Sequence, residues 1–317
     1  MRRLYAIGEA LIDFIPNTTN VKLKDVATFS RQVGGAPCNV ACAVQKLGQQ
    51  AHMITQLGND AFGDRIIETI ADIGVDVSYI KRTDEANTAL AFVSLAEDGQ
   101  RDFSFYRKPS ADMLYHEDNI AELQLTSQDI MHFCSVDLVE SPMKQAHHAM
   151  IDNMLAAKGT VVFDPNVRLP LWDDPEDCRR AILEFIPYAH IVKVSDEELA
   201  FITGIKDEDE AIQSLFKGNV EVVIYTKGKD GAVAYLKNGQ TISHEGFKVT
   251  AVDTTGAGDA FIGAVISKLL ASNTKDLTTL FENEGQEILA FSNKVAAKVT
   301  TEYGAIESLP TLAEVIN

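Results

Sequence analysis

The chain has 317 residues, 46% hydrophobic and 23% charged, the balance of a globular protein long enough to bury a full core. Its formal net charge of -18 argues against nucleic acid or an anionic membrane as partner. No stretch approaches membrane-span length, and Glu9 and Asp13 interrupt the apolar run that a signal peptide would need after Arg2 and Arg3.

The four cysteines, Cys38, Cys42, Cys134 and Cys178, form no C-x-x-C pair and have no His at zinc spacing. They are expected to be reduced, mostly buried thiols in a cytoplasmic protein. His147 and His148 are adjacent and diverge on a helix, so the histidines show no metal spacing.

Leu4 to Gly8 is a short apolar run that predicts a buried strand, and Glu9 to Pro16 continues it. Asp13 stands there among apolar neighbours; it either pairs, faces a ligand, or ends the strand in solvent. Gly34 and Gly35 precede Pro37, a residue suited to the first turn of a helix. Val40, Ala43, Val44 and Leu47 give that helix one apolar face, and Gly48 stops it. Asn39 in its first turn is free to bond a polyol or the local backbone.

Ala51–Leu57 predicts a strand, 61–73 a helix ending at Gly74, and 75–80 a strand. This alternation implies a largely parallel sheet covered on both faces. Residues 88–95 and 101–107 break the rhythm. They flank Glu97-Asp-Gly-Gln100, a hairpin signal, and the segments 11–16 and 28–33 are candidates to pair with them. A β insertion in an α/β chain is a candidate lid, which would exclude water, or an edge used for dimer contact.

Strand, helix and strand follow at 129–135, 142–158 and 160–163. The last ends in Asp164-Pro-Asn-Val-Arg168. Ligands of open α/β sheets collect at the carboxyl ends of strands, so Asp164, Asn166 and Arg168 are well placed if this strand is central. Pro170 to Pro175 marks a surface loop. After a strand at 191–194, Ser195 and Glu198 spell a capping box and Gly204 closes the helix. Glu198 has a competing use in organising hydrated Mg²⁺. The acidic run 207–210 starts a solvated helix. A strand at 220–225 leads into Thr226-Lys-Gly-Lys-Asp-Gly231, where Thr226 and Gly228 either contact nucleotide phosphates or simply turn the chain, and Lys227 could add positive charge. Strands at 232–236 and 241–244 come next, then helical sequence to about 300 and an ordered loop.

The stretch Val252-Asp-Thr-Thr-Gly-Ala-Gly-Asp-Ala-Phe-Ile-Gly263 reads as a loop entering a helix. Asp253, Thr254 and Thr255 are turn and cap types. A helix that starts at Gly256, Ala257 and Gly258 offers open N–H groups and a positive dipole end, a place for an anion. Asp259 in the first turn is a carboxylate able to take a proton. These are the parts of a phosphoryl transferase. The spacing is neither a P-loop nor G-x-G-x-x-G, and a dinucleotide-binding dehydrogenase is disfavoured for want of an early glycine fingerprint. An acidic enzyme of this kind needs a locally positive cleft built from helix N-termini, a few Lys or Arg and a divalent cation.

Two signatures in this order, Gly34-Gly35…Asn39 and Asp253-Thr-Thr-Gly-Ala-Gly-Asp259, resemble the ribokinase-like PfkB sugar kinases over nearly the full length. Gly8-Glu-Ala-Leu-Ile-Asp13, Phe105-Tyr-Arg-Lys-Pro-Ser-Ala-Asp112, Phe163 to Trp172 and Lys193-Val-Ser-Asp-Glu-Glu198 are most similar to bacterial fructokinases. The resemblance implies a single three-layer α/β/α domain over 1–317 with a mostly parallel sheet. It implies a β lid from about 11–33 and 88–107, a surface for homodimer formation. The implied reaction is ATP-dependent phosphorylation of a sugar hydroxyl with Mg²⁺ and K⁺, D-fructose to fructose 6-phosphate first among candidates. Asp259 would be the base. Gly256, Ala257 and Gly258 would form the anion hole, and Asp13, Gly34, Gly35 and Asn39 would hold sugar hydroxyls. Arg107 and Arg168 would approach the sugar or phosphates. Thr226, Gly228, Asn166 and Lys193 would serve the nucleotide, Glu198 the Mg²⁺ network, and Asp253 and Thr255 the K⁺. The helix N-terminus is expected to keep Asp259 ionised. Ser195 departs from the Asn that begins the family's Asn-x-x-Glu motif. A 2-keto-3-deoxygluconate kinase of the same fold, or a sugar sensor without catalysis, are the alternatives.

Overall fold

The computed structural model describes residues 2–18, 20–95 and 101–316. The expected turn at 97–100 lies outside the described residues. In chain order the strands are β1 (Arg3–Ile7), β2 (Leu11–Pro16), β3 (Phe29–Gly34), β4 (Gln50–Gly58), β5 (Ile80–Thr83), β6 (Leu90–Leu95), β7 (Arg101–Tyr106), β8 (Ile130–Phe133), β9 (Thr160–Phe163), β10 (Ile191–Ser195), β11 (Val222–Thr226), β12 (Ala232–Leu236) and β13 (Thr241–His244). The α-helices are α1 (Ala36–Lys46), α2 (Ala61–Ile73), α3 (Pro142–Ala156), α4 (Pro175–Phe185), α5 (Asp196–Thr203), α6 (Glu208–Ser214), α7 (Ala257–Ala271), α8 (Leu277–Val299) and α9 (Leu312–Ile316).

The larger sheet runs β13-β12-β11-β10-β9-β8-β1-β4-β5. Neighbours from β11 to β5 are parallel, and only the β12 and β13 pairings are antiparallel. Its central strands β1, β8, β9 and β10 are buried on both faces, as parallel strands between helix layers must be. Leu4 and Ala6 of β1 enter the core under α1, α2, α7 and α8, while Tyr5 and Ile7 enter the core under α3, α4, α5 and α6. Each fully buried side chain of this size contributes about 2 kcal/mol. The three-layer α/β/α arrangement is the one expected.

Strand order reverses at β1: β4 and β5 lie on one side of it and β8 to β11 on the other. The crevice beyond the carboxyl ends of β1 and β8 is therefore a topological switch point. Glu9, Ser135, Asp164 and Ser195 all emerge at or just past the carboxyl ends of these central strands.

A second sheet runs β3-β2-β6-β7, built from the segments proposed to pair with one another. The run 4–16 is thus two strands in two sheets, broken at Gly8 to Ala10. In register, Asp13, Ala91 and Phe105 share one row. Phe14 and Phe92 stack on the opposite face with centroids 4.7 Å apart, and Phe29 and Tyr106 meet Phe92 edge-on at 5.4 and 5.2 Å.

Three local expectations change. The strand expected at 75–80 begins only at Ile80; the Asp76 carboxylate accepts from Ser78 N–H at 2.8 Å and folds a turn, leaving an isolated bridge to His52. Residues 175–185 add α4, capped by Asp174 and started by Pro175. The tail adds α9 beyond the final loop.

Candidate active site

The helices α1 and α7 cross closely because both present small residues at the contact. A Cβ added at Gly263 would lie 2.7 Å from Ala43 Cβ. Gly263 sits one turn beyond Asp259, and Ala43 one turn beyond Asn39, so each pair shares a helix face. Closing the crossing therefore brings Asn39 onto Asp259. Asn39 Nδ2 donates to Asp259 Oδ2 at 2.8 Å across 220 residues of sequence. Asn166 Nδ2, from the loop after β9, donates to Oδ1 at 3.0 Å. The carboxylate is thus oriented by an amide on each oxygen.

Asn39 Oδ1 is buried with no hydrogen-bond partner, an acceptor available to a hydroxyl donor. Asp13 is half-buried, with its carboxylate in the space a Gly34 side chain would fill. A Cβ on Gly35 would meet Glu9 O at 2.5 Å. Asp13, Gly34, Gly35, Asn39 and Asp259 are therefore assembled at one site, from opposite ends of the chain.

Gly256 is the N-cap of α7 at φ 75°, and no side chain caps this helix. Asp253, of cap type, instead folds the loop: its Oδ1 accepts from Thr255 N–H at 2.9 Å and Thr255 Oγ1 at 2.6 Å, and Oδ2 accepts from Gly304 N–H at 3.2 Å. The amides of the first turn have no intrahelical acceptor; Ala257 N–H donates weakly to Thr254 O, in the preceding loop, at 3.3 Å. Gly258 is exposed. Lys193 Nζ lies 3.3 Å from where a Gly258 Cβ would stand. A buried ammonium beside open helix amides is the local positive patch that the acidic chain requires.

Lys193 pairs with Asp164 Oδ2 at 2.9 Å. Burial works against its charge, but Asp164 and Glu198 override that and hold it above the ordinary lysine range. Burial likewise raises Asp259 above the ordinary carboxylate range, against the pull of Asn39, Arg168, Lys193 and Asn166. Desolvation thus outweighs the donors that favour the ionised form.

The remaining candidates make contacts of their own. The Arg107 guanidinium is buried, bound by Asp112 and Asp137. Asn166 donates to Asp259, a contact its assignment does not include. Glu198 already accepts from Val167 N–H at 2.7 Å and from Ser195 N–H and Oγ at 3.0 and 2.8 Å. The capping box is real, and Ser195 in place of Asn completes it. Lys227 pairs with Glu208 at 2.8 Å. Thr226 ends β11 with Oγ1 3.4 Å from Val194 O, and a Cβ on Gly228 would meet nothing within 4 Å, so the turn faces open space. Arg168 bonds Val167 O at 3.0 Å and has no ion-pair partner among the described residues.

The donor atoms fit two cations. Asp164 Oδ1 is buried and without a hydrogen-bond partner, close enough to Lys193, Glu198 and Asp259 to feel their charges. Asp164 with Glu198 suits a hydrated divalent ion carried by phosphates, since Mg²⁺ keeps several waters and needs few carboxylates. The buried Asp253 carboxylate with Thr255 offers hard oxygen donors beside α7, suited to a monovalent cation. Among the described residues, no cluster of three His, Cys, Asp or Glu forms a closed metal site. Two groups that sequence reasoning does not single out, Glu9 and Asp137, are buried beside the site with orphaned oxygens. Their only sequence signal is a carboxylate just past the apolar run of a central strand. A cavity of about 850 Å³ opens between Phe62, Tyr106 and Pro109, away from Asp259.

An oriented carboxylate, an uncapped helix start and further polar groups in one crevice are the parts a phosphotransferase acting on an alcohol needs. The pattern shared by the pfkB family of carbohydrate kinases matches residues 1–312, and the chain belongs to that family. It is 40% identical over 315 residues to the probable fructokinase-4 of Arabidopsis thaliana, covering 98% of this chain and 95% of that one. It is similar to the fructokinase of Xylella fastidiosa with bound ATP, at TM-score 0.88 and 31% identity over 99% of this chain and 97% of the other. A double-mutant fructokinase from Vibrio cholerae O395, in a fructose, ADP and potassium ion bound form, matches at TM-score 0.88 and 30% identity over 100% and 97%.

Proposed function

We propose that this carbohydrate kinase transfers the γ-phosphoryl group of ATP to a primary hydroxyl of D-fructose, giving fructose 6-phosphate and ADP. The observation that carries the reading is the Asp259 carboxylate, held by Asn39 and Asn166 in the first turn of an uncapped helix.

Asp13, Gly34, Gly35 and Asn39 bind the sugar hydroxyls, with Asn39 Oδ1 accepting from one of them. Asp259 takes the proton of the attacking hydroxyl. The new bond joins that oxygen to the γ-phosphorus, and the bond from the γ-phosphorus to ADP's bridging oxygen breaks. In a loose transition state the alcohol loses its proton late, so the position of Asp259 matters more than its basicity. The amides of Gly256, Ala257 and Gly258 receive the charge on the equatorial oxygens, each well-aimed donor contributing about 3 kcal/mol. Lys193 adds its charge at the same point, and Thr226 and Gly228 contact the nucleotide. Asp164 and Glu198 would hold hydrated Mg²⁺ on the phosphates, which would supply positive charge at the leaving group, and Asp253 and Thr255 would hold K⁺ beside the loop that presents the amides.

The small sheet serves as a lid, its Asp13 row turned to the sugar. Its other face, with Phe14, Phe29, Phe92 and Tyr106, is the surface through which we infer a homodimer; Tyr106 is 62% exposed on a monomer. A Tyr106→Asp chain sedimenting as a monomer, where the parent sediments as a dimer, is the expected result; an unchanged dimer refutes that surface. Four free, buried thiols support a reducing compartment such as the cytoplasm. Among the described residues no helix is long and apolar enough to cross a membrane.

A 2-keto-3-deoxygluconate substrate is the second reading, favoured by Arg168 lacking a carboxylate partner among the described residues. Burial of Arg107 against Asp112 and Asp137 removes its other expected anchor. A coupled assay of ADP release over fructose, mannose, ribose, 2-keto-3-deoxygluconate and adenosine, with and without K⁺, decides. Fastest release with fructose is expected. Faster release with the keto acid, or none with any sugar, overturns the assignment.

A further inference from the structure

Helix α1 has a bare start. Its N-cap is Gly35, which has no side chain to satisfy the first-turn amides. A carboxylate from another segment does so instead. Glu9, on the turn between β1 and β2, accepts from Ala36 N–H through Oε1 at 2.9 Å. An anion at that end is also favoured by the helix dipole. Glu9 is only 3% exposed, and its second oxygen is buried without a hydrogen-bond partner.

A carboxylate so deeply buried is costly unless its contacts matter. Three residues beyond Ala36, in the same first turn, stands Asn39, whose amide holds Asp259 at 2.8 Å. A first turn that frays or rotates carries Asn39 with it, and a misplacement of about 1 Å near the reacting groups costs on the order of 100-fold in rate. We propose that Glu9 is a positioning residue for phosphoryl transfer: it caps α1 from the neighbouring loop and so fixes Asn39 against Asp259. The inference rests on the reading of Asn39 and Asp259 as the working pair. It concerns a residue that touches neither sugar nor nucleotide.

Burial pushes the Glu9 carboxyl up to about 7, against the pull of Arg107 and the Ala36 N–H. The acceptor role therefore does not depend on a full negative charge, and an amide oxygen can replace it. Glu9→Gln keeps volume and acceptor; Glu9→Met keeps volume and loses the acceptor. E9M is expected to fold and to lose about 10- to 100-fold in kcat/KM for fructose, with KM for ATP unchanged. E9Q is expected within about threefold of the parent, because the hydrogen bond survives. In a cycle with Asn39→Ala, E9M adds no further loss, since both act through one contact.

Parent-like E9M activity overturns the proposal, and so do losses from E9M and N39A that multiply. An N39A enzyme at full activity would instead sink the reading of the site and this inference with it, so the silent variant tells the two failures apart. If E9M is not recovered folded, Glu9→Asp, which shortens the reach, must lose activity in the same pattern or the proposal fails.

Discussion

Asp259 is buried, and the mechanism proposed above uses it as a base; these conditions have opposite effects on its proton. Desolvation raises its pKa, and Arg168 is among the groups that lower it. The base works deprotonated, so activity falls as pH drops through this raised value. The acidic limb of kcat/KM is expected above the ordinary carboxylate range. Replacing Arg168 by Gln removes a positive charge and moves the limb to higher pH, whatever it does to the size of the rate. A limb that stays in place in R168Q excludes Asp259 as the titrating group. Arg107 belongs to stability instead. Taking it away leaves Asp112 and Asp137 buried without their cation. Arg107→Met should cost about 3–5 kcal/mol in urea unfolding. Asp259, Asn39 and the glycines are legible in the sequence because their neighbours are unusual: small residues at a helix start with one polar group among them. Asn166 and Arg107 each take a carboxylate partner that the sequence does not name. A residue's type and place on a strand end do not say which buried carboxylate will claim it.

Among elements, the crossing of α1 over α7 sets the site. Gly263→Ala pushes a methyl into Ala43, an overpacking expected to cost about 1–3 kcal/mol. It should also lower kcat/KM by parting Asn39 from Asp259. Ala43→Gly in the same chain restores the space. Turnover and stability should both recover, since the glycine removed from α7 and the one placed in α1 change helix propensity by about 1 kcal/mol in opposite directions. Kinetics and urea unfolding of the three variants check this; recovery of stability without turnover would contradict it. Elements with strong end signals read well. The helix 61–73 has its expected limits, and Ser195 with Glu198 caps as its spacing implies. The strand at 75–80 fails because the Asp76 carboxylate turns the chain, a local bond that hydrophobic periodicity does not register. The helix at 175–185 has Asp174, Pro175 and an apolar stripe of Cys178, Ala181, Ile182 and Phe185 in its sequence, but a proline-rich approach masks them.

The whole molecule joins an acidic surface to a cleft with positive charge at one point, where Lys193 meets the start of α7. The sheet's switch point at β1 and β8 explains why segments far apart in sequence converge there. Its interior also sets an acid limit. Burial lowers the His147 pKa from 6.5 to about 4. The unfolded chain takes up this proton first as pH falls, so the native state loses stability between the two values. From near pH 7 to about pH 5 this residue alone should remove about 2 kcal/mol, measured as a change in urea midpoint. A His147→Gln chain should lack that part of the loss; an equal loss in both would refute the assignment.

The most direct measurement is turnover of Asp259→Asn in the ADP-release assay with fructose. The substitution keeps the size, leaves one oxygen to accept from Asn39 or Asn166, and removes the base. The account predicts a fall in kcat on the order of 1,000-fold with fructose still bound. Turnover near that of the parent chain would contradict it.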